Sequence, residues 1–278
     1  MSKVLGRVSK PRASASALLL TSMLVLSPFA AGEPGRPAEP PKWVALVIGN
    51  GAYPSSRLRN PANDAMAVAE SLKELGFDVD LQTDLDQKAM LQKVFDFYHQ
   101  KATRSTVRLI YYAGHGAQYN GHNYLMPVDA NFGLETDIPR TGFLLDELRR
   151  SLDELGQGVS LIILDTCRIR LCPLGRCRGA ASGLDLGAEN RSSGTLIAYS
   201  TGLGKPASDG PEEDHSLYTH ALLELLPIPG LSVEKLFRRL NEEVFRRSQG
   251  RQKPEFVDGL MGDELCLRSG PSGTCPAV

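Results

Sequence analysis

The chain has 278 residues, of which 42% are hydrophobic and 23% are charged. These proportions are typical of a soluble globular protein that can bury a substantial core. The formal net charge is −1, and no basic cluster gives the electrostatic footprint of a nucleic-acid-binding protein.

The first 31 residues differ from the rest of the chain. Four basic residues among the first twelve precede an apolar run over 17–31 that is short for a bilayer span and is interrupted by Pro28. This pattern predicts a secretory signal peptide over 1–31, with an uncleaved anchor as the alternative. We therefore expect an exported protein, periplasmic or secreted, without a membrane span in its mature form.

The remaining boundaries follow from composition. Residues 32–42 are rich in proline and predict an extended linker. The folded domain is expected over 43–268, and the polar residues 269–278 are expected to form a flexible tail. Without the leader, 27 basic residues stand against 32 acidic ones, a net charge of −5.

Buried strands and amphipathic helices alternate through the domain. The predicted strands cover 43–48, 77–81, 109–114, 161–164 and 195–200, with a short extended segment at 123–129. Five helices are predicted. The first covers roughly 61–75 after an Asn60 cap, and the second begins at Asp84 and Asp86. The third has an apolar stripe over 145–155, and the last two cover 217–226 and 232–248. Such alternation predicts an α/β fold with a mainly parallel central sheet and helices on both faces.

Two potentially reactive side chains follow strands of this sheet. His115 lies between two glycines after one strand, and Cys167 follows another. If the two strands are neighbours, the imidazole can make the thiolate available as a nucleophile. The amides of Gly116 and Cys167 would then donate to an oxyanion, a contribution of roughly 3 kcal/mol per donor. Taken singly, either side chain could instead be structural.

Five motifs in order carry a resemblance to a known family. They are ALVIGN at 45–50, LRNPANDA at 58–65, YYAGHG at 111–116, NYLMPVD at 123–129 and LDTCR at 164–168. From Val44 to Leu267 the chain resembles bacterial caspase-like cysteine peptidases of the metacaspase and orthocaspase kind. His115 also lies 52 residues before Cys167, close to the roughly 50 of caspases. The caspase pentapeptide around the cysteine is absent.

The resemblance implies a caspase fold, a His115/Cys167 dyad and endopeptidase activity on peptide or protein substrates. In metacaspase-like members, two acids line the pocket for the residue before the scissile bond. The matching residues here are Asp64 and Asp165, and Asp209 is a third candidate. Carboxylates in such a pocket favour a substrate Arg or Lys over Asp. The alternatives are a helix-dipole role for Asp64 and a loop-orienting hydrogen bond for Asp165.

The five cysteines suggest disulfide bonds in an exported protein. With Cys167 kept free, the simplest pairs are Cys172 with Cys177 and Cys266 with Cys275, although all four could be free thiols. A bond between Cys167 and Cys172 would silence the enzyme, which is a redox-switch hypothesis. Arginines between 168 and 191 are candidate sites of self-cleavage.

Three other readings of the sequence stay open. The same fold could serve as a catalytically silent scaffold, and the Cys172/Cys177 pair could belong to a thiol redox protein, although its spacing is wrong for one. No ligand spacing predicts a metal site, and the chemistry requires no cofactor. The resemblance implies that calcium could activate the enzyme through the acids at 212–214, which could equally be a solvated loop. The sequence does not indicate the oligomeric state.

Overall fold

The computed structural model describes residues 43–131, 133–166, 194–202, 205, 207–210, 214–271 and 275. The predicted leader and linker therefore lie outside the described residues, as do Cys167, the Cys172/Cys177 pair and the candidate self-cleavage sites. No helix in the described ranges is long and apolar enough to cross a membrane.

Among these residues, six strands form one sheet in the order β2-β1-β3-β7-β8-β9. Its strands are β1 (Trp43–Gly49), β2 (Asp78–Thr83), β3 (Val107–Gly114), β7 (Val159–Thr166), β8 (Thr195–Tyr199) and β9 (Glu255–Asp258). The first four pairings are parallel, and β9 runs antiparallel to β8. The predicted mainly parallel sheet is thus confirmed.

Helices cover both faces of the sheet. They are α1 (Pro61–Glu74), α2 (Gln87–Asp96), α4 (Leu145–Asp153), α5 (Leu217–Leu225) and α6 (Val233–Arg247), whereas the single turn α3 (Ile138–Thr141) belongs to a separate apolar cluster. Alternate residues of β1 point to opposite faces, as a strand requires. Ala45 and Val47 pack with α1, α5 and α6, whereas Leu46 and Ile48 pack with α2 and α4. A fully buried central strand explains why β1 is a continuous apolar run.

The structure contains a small second sheet, of which the sequence predicted only a short extended segment at 123–129. It consists of β4 (Gly116–Tyr119), β5 (His122–Leu125) and β6 (Phe143–Leu144). The β4–β5 hairpin turns at Asn120-Gly121, where both residues have positive φ, 49° and 82°. Asn-Gly is the strongest short-range hairpin signal, so this element could have been found from the sequence. Strand β9 was also missed, because it is short and only half-buried.

The two predicted helix caps behave differently. Asp86 caps α2 by accepting a hydrogen bond from the Ala89 amide at 2.7 Å. Asn60 occupies the predicted cap position of α1, directly before Pro61, but its side chain makes no capping bond. Its Nδ2 instead donates to the carbonyl of Asp209. Asn60 therefore joins the start of α1 to a distant loop.

The predicted bond between Cys266 and Cys275 is present, with Cα atoms 5.7 Å apart. It connects residue 275 of the predicted tail to a residue that is fully buried. Because it closes a loop with a sequence separation of 9, we expect Cys275→Ser to lower the free energy of unfolding by about 2–3 kcal/mol. Denaturant unfolding with and without reductant would measure this. A denaturation midpoint equal to that of the wild type would contradict the prediction. Because the variant lacks this bond, any effect of reductant on the variant comes from other cysteines, which provides the control.

Candidate active site

The carboxyl ends of β3 and β7 lie side by side. The two strands are parallel neighbours, with Ala113 opposite Asp165 and Gly114 opposite Thr166. His115 directly follows Gly114, and Thr166 is the last described residue before Cys167. The predicted adjacency of the two strand ends is confirmed, while Cys167 itself lies outside the described part of the chain.

Two buried tyrosines fix the main chain of His115. Its N–H donates to the Tyr53 hydroxyl at 3.0 Å, and the Tyr112 hydroxyl lies 3.0 Å from its carbonyl, which also accepts from the Met126 amide at 3.0 Å. A Cβ atom at Gly114 would lie 2.7 and 2.8 Å from the hydroxyls of Tyr112 and Tyr53. Glycine is therefore required at 114 for the tyrosines to approach, a constraint that the sequence motif alone did not explain.

The imidazole of His115 has a defined orientation. Nε2 lies 2.7 Å from the carbonyl oxygen of Ser56, which can only accept, so Nε2 carries a proton. In the neutral ring, Nδ1 is then the unprotonated nitrogen. The ring packs against Tyr53, with centroids 4.4 Å apart. Burial lowers the pKa of His115, against the opposing effects of the Ser56 bond and the Asp209 charge, which favours the neutral base.

All three acids predicted to bind substrate line one small pocket. Asp64, Asp165 and Asp209 surround it together with Gly114, the residue before His115. The pocket thus opens beside the strand end that carries the histidine. A larger apolar groove, of about 700 Å³, lies between α2 and α4 and contains none of the predicted site residues.

Asp64 is the acid contributed by α1. It lies in the first turn of that helix, as the dipole alternative required, but it is only 1% exposed. Its Oδ1 contacts Nδ1 of His215 at 2.9 Å and accepts from the Ser216 amide at 3.2 Å. Burial, followed by the charge of Asp165, raises its pKa to about 9. Its carboxylate therefore interacts chiefly with the residues that precede α5.

Asp165 is the acid contributed by β7. Its Oδ2 accepts from the hydroxyls of Ser216 and, at 2.7 Å, Thr219. Burial raises its pKa, against the effect of these hydrogen bonds. The structure thus contains the hydrogen bonds foreseen by the alternative for Asp165, and they fix one of its oxygens at the wall of the pocket.

Ser216 joins the two acids, and sequence reasoning missed it. Its amide bonds to Asp64 and its hydroxyl to Asp165, while the same hydroxyl accepts from the Thr219 amide at 2.9 Å and so caps α5. A serine before a predicted helix is a recognisable cap signal. Nothing in the sequence, however, indicated that this cap would contact residues more than 50 positions away.

Asp209 comes from the loop after β8 and is partly exposed. Its Oδ2 accepts from the Arg59 amide at 3.0 Å, and its carbonyl accepts from Asn60. These bonds attach the loop to the start of α1. The three acids therefore come from three segments far apart in the chain.

Three carboxyl groups line this pocket. Neighbouring carboxylates raise each other's pKa, and a bound guanidinium or ammonium group relieves that repulsion. Within the described ranges, no set of three or more His, Cys, Asp or Glu side chains could hold a metal ion. Glu212 and Glu213, named as calcium candidates, lie outside those ranges.

The strand order, the histidine after β3 and the acidic pocket define a caspase-type α/β domain. A family model described as the caspase domain of peptidase family C14 matches residues 42–263, and the chain belongs to this family. The match agrees with the resemblance inferred from the five motifs.

Two curated relatives extend the comparison. The chain is 30% identical over 137 residues to the mucosa-associated lymphoid tissue lymphoma translocation protein 1 homolog of Mus musculus, an alignment covering 49% of this chain and 16% of the relative. It is 30% identical over 128 residues to the Homo sapiens protein of that name, covering 46% and 15%. The chain therefore matches less than a fifth of the length of these relatives.

Proposed function

We propose that the protein is a cysteine endopeptidase that uses a His115/Cys167 dyad and cleaves peptide bonds after Arg or Lys. One observation carries the proposal: Gly114 and Thr166 are paired on adjacent strands. His115 and Cys167 are the residues that follow them in the sequence. The acidic pocket beside Gly114 supports the substrate preference.

The chemistry requires only groups that this chain supplies. Nδ1 of His115 accepts the proton of the Cys167 thiol, and the thiolate attacks the carbonyl carbon of the scissile bond. The resulting oxyanion is stabilised by the amides of Gly116 and Cys167. The imidazolium then protonates the leaving amine as the C–N bond breaks, and water hydrolyses the thioester to release the acid and the thiol.

The position of Gly116 is compatible with its oxyanion role. Gly116 lies opposite Leu125 in the β4–β5 hairpin, and the neighbouring bond runs from the Met126 amide to the His115 carbonyl. Gly116 therefore belongs to a non-hydrogen-bonded pair, whose amide points away from the partner strand. That amide is available for an acceptor beside His115.

The sign of the charge in the pocket supports a basic substrate residue. Two unit charges 4 Å apart interact by about 4 kcal/mol at an effective dielectric constant of 20. This interaction is attractive for an Arg or Lys side chain and repulsive for Asp. A planar guanidinium can also bond to two carboxylates at once. We therefore expect Arg and Lys to be accepted and Asp to be rejected.

A panel of fluorogenic peptides that differ only in the residue before the bond would test the proposal. We expect kcat/KM for Arg and Lys peptides to exceed that for the Asp peptide by at least about a hundredfold, as an energy difference of about 3 kcal/mol requires. A preference for the Asp peptide would contradict the assignment of the three acids to the substrate pocket. The assay is run with EDTA and with calcium: the dyad should work without metal, whereas calcium would act only as an activator. Complete loss of activity in EDTA would contradict this.

We also propose that the protein is exported, on the strength of the basic and apolar residues over 1–31. Fractionation of cells that express the full chain should place it in the periplasm or the medium, shortened by the leader. Recovery of the unshortened chain in the cytoplasm would refute export. No nucleic-acid partner is proposed, since the sequence contains no basic cluster of the kind that binds nucleic acids.

A further inference from the structure

His215 is a contact of the acidic pocket that the proposed mechanism does not use. It precedes α5, and its Nδ1 lies 2.9 Å from Oδ1 of Asp64; the His215 side chain is 26% exposed, against 2% for that of Asp64. When Asp64 is ionised its oxygens can only accept, so Nδ1 of His215 is then the donor. His215 is therefore the one described residue whose side chain donates to Asp64 and also reaches the surface.

Asp64 needs such a donor in order to bind a cation. Its buried carboxylate shares Ser216 with Asp165, and burial together with the charges of Asp165, Asp209 and Asp214 favours its protonated form. A protonated carboxyl would offer an arginine no charge. A donated N–H favours the ionised form that a bound cation requires.

The hydrogen bonds also orient the carboxylate. The contacts of His215 and Ser216 at 2.9 and 3.2 Å both reach Oδ1, whereas Oδ2 receives a longer contact of 3.4 Å from the Ser216 amide. Oδ2 is therefore the oxygen that remains for an incoming cation.

We propose that His215 is a positioning residue of the substrate pocket: it holds Oδ1 of Asp64 and directs Oδ2 toward the basic side chain before the scissile bond, where the carboxyl ionises as the cation binds. This inference rests on the proposed function and extends it to a residue that does not itself contact the reacting atoms. It makes His215 a determinant of specificity for charge at that position.

The chain provides a matched control. His215 also lines a cleft with Asp214, His220, Arg247 and Arg251. His220 lies one turn along α5 and bonds to Glu224 at 3.1 Å. No contact between His220 and the pocket acids is found among the described residues. His220→Ala removes an imidazole from the same cleft without changing the environment of Asp64.

The test compares KM for an Arg peptide with KI for the same peptide carrying citrulline, the neutral counterpart of arginine. In His215→Ala we expect KM for the Arg peptide to rise about tenfold, as loss of a hydrogen bond to a charged group implies, with kcat within about twofold. The KI of the citrulline peptide should change little. His215→Asn, which retains an N–H donor, should recover most of the loss, and His220→Ala should resemble the wild type.

The outcomes separate the possible explanations. An unchanged KM in His215→Ala, a parallel loss for Arg and citrulline, or a failure of His215→Asn to recover binding would each overturn the proposal. If His215→Ala does not fold, His215→Phe replaces it, because it fills the space without a donor; its comparison with His215→Asn is then decisive. A wild type that cleaves Asp peptides but no Arg peptide would refute the proposed specificity itself.

Discussion

Cys167→Ala is expected to abolish peptide cleavage, because it removes the nucleophile. Deletion of a catalytic nucleophile in a comparable protease costs about a millionfold in kcat, below the detection limit of a fluorogenic assay. His115→Ala removes the base and should lower kcat by about 10²–10⁴. Assays with fluorogenic Arg peptides, including long incubations for weak activity, would measure kcat for both variants.

The controls for this prediction test the fold and the alternative function. His122→Ala removes another imidazole, on the β4–β5 hairpin, whose Nδ1 lies 2.7 Å from Oδ2 of Asp146. This variant should leave kcat unchanged. Substantial cleavage by Cys167→Ala would disprove the dyad. A wild type that binds peptides but never cleaves them would instead favour the silent scaffold.

The second large effect is expected from the pocket acids. Asp64→Asn and Asp165→Asn keep the shape of the side chain but remove a carboxyl group that, under the proposed function, is ionised when the substrate cation is bound. We expect each to lower kcat/KM for Arg peptides by about a hundredfold, since losing one partner of a buried charge pair costs several kcal/mol. Asp263→Asn, at an exposed position, is the charge-matched control. Equal activity of Asp64→Asn and the wild type on Arg peptides would remove Asp64 from the pocket assignment.

The same substitution has a predicted effect on stability. The pKa of Asp64 is raised from 3.8 to about 9 in the folded state, so between these values the folded domain binds a proton that the unfolded chain has released. Stability is then greatest below the lower value and falls as pH rises through this window. Asp64→Asn lacks this dependence.

At pH 8 we therefore expect Asp64→Asn to be more stable than the wild type by about 1 kcal/mol or more, since each pKa unit corresponds to about 1.4 kcal/mol. At pH 4 the difference should disappear. Denaturant unfolding at the two pH values would measure both. A variant that is less stable at pH 8 would show that hydrogen bonds to the carboxylate outweigh the cost of burying its charge.

Such a combination of lower activity and higher stability is expected of a functional pocket. Two carboxylates buried within reach of one serine are unfavourable for the folded domain until a cation enters. The buried network of Ser216, Thr219 and Tyr111, in which the Tyr111 and Thr219 hydroxyls are 2.5 Å apart, satisfies part of this charge. Under the proposed function, the charge that this network does not satisfy attracts the substrate cation.

Local patterns were sufficient for most of the sheet and the helices. Continuous apolar runs predicted β1, β3, β7 and β8, because strands buried on both faces are composed mainly of apolar residues. Elements without such a pattern were missed. The hairpin had only its Asn-Gly turn as a signal, and β9 is a short edge strand whose residues are half-exposed.

The sequence by itself determined the family, and it predicted the reactive residues at the two strand ends together with Asp64 and Asp165, since all of these lie within contiguous motifs. Only the tertiary structure decided that β3 and β7 are neighbours in a register that aligns Gly114 with Thr166, and that His215 and Ser216 contact the pocket acids. Those contacts join residues about 50 to 150 positions apart. Periodicity and propensity describe neighbours along the chain. Contacts between distant residues arise instead when α1 and α5 pack on one face of the sheet and bring the segments at their N-termini together.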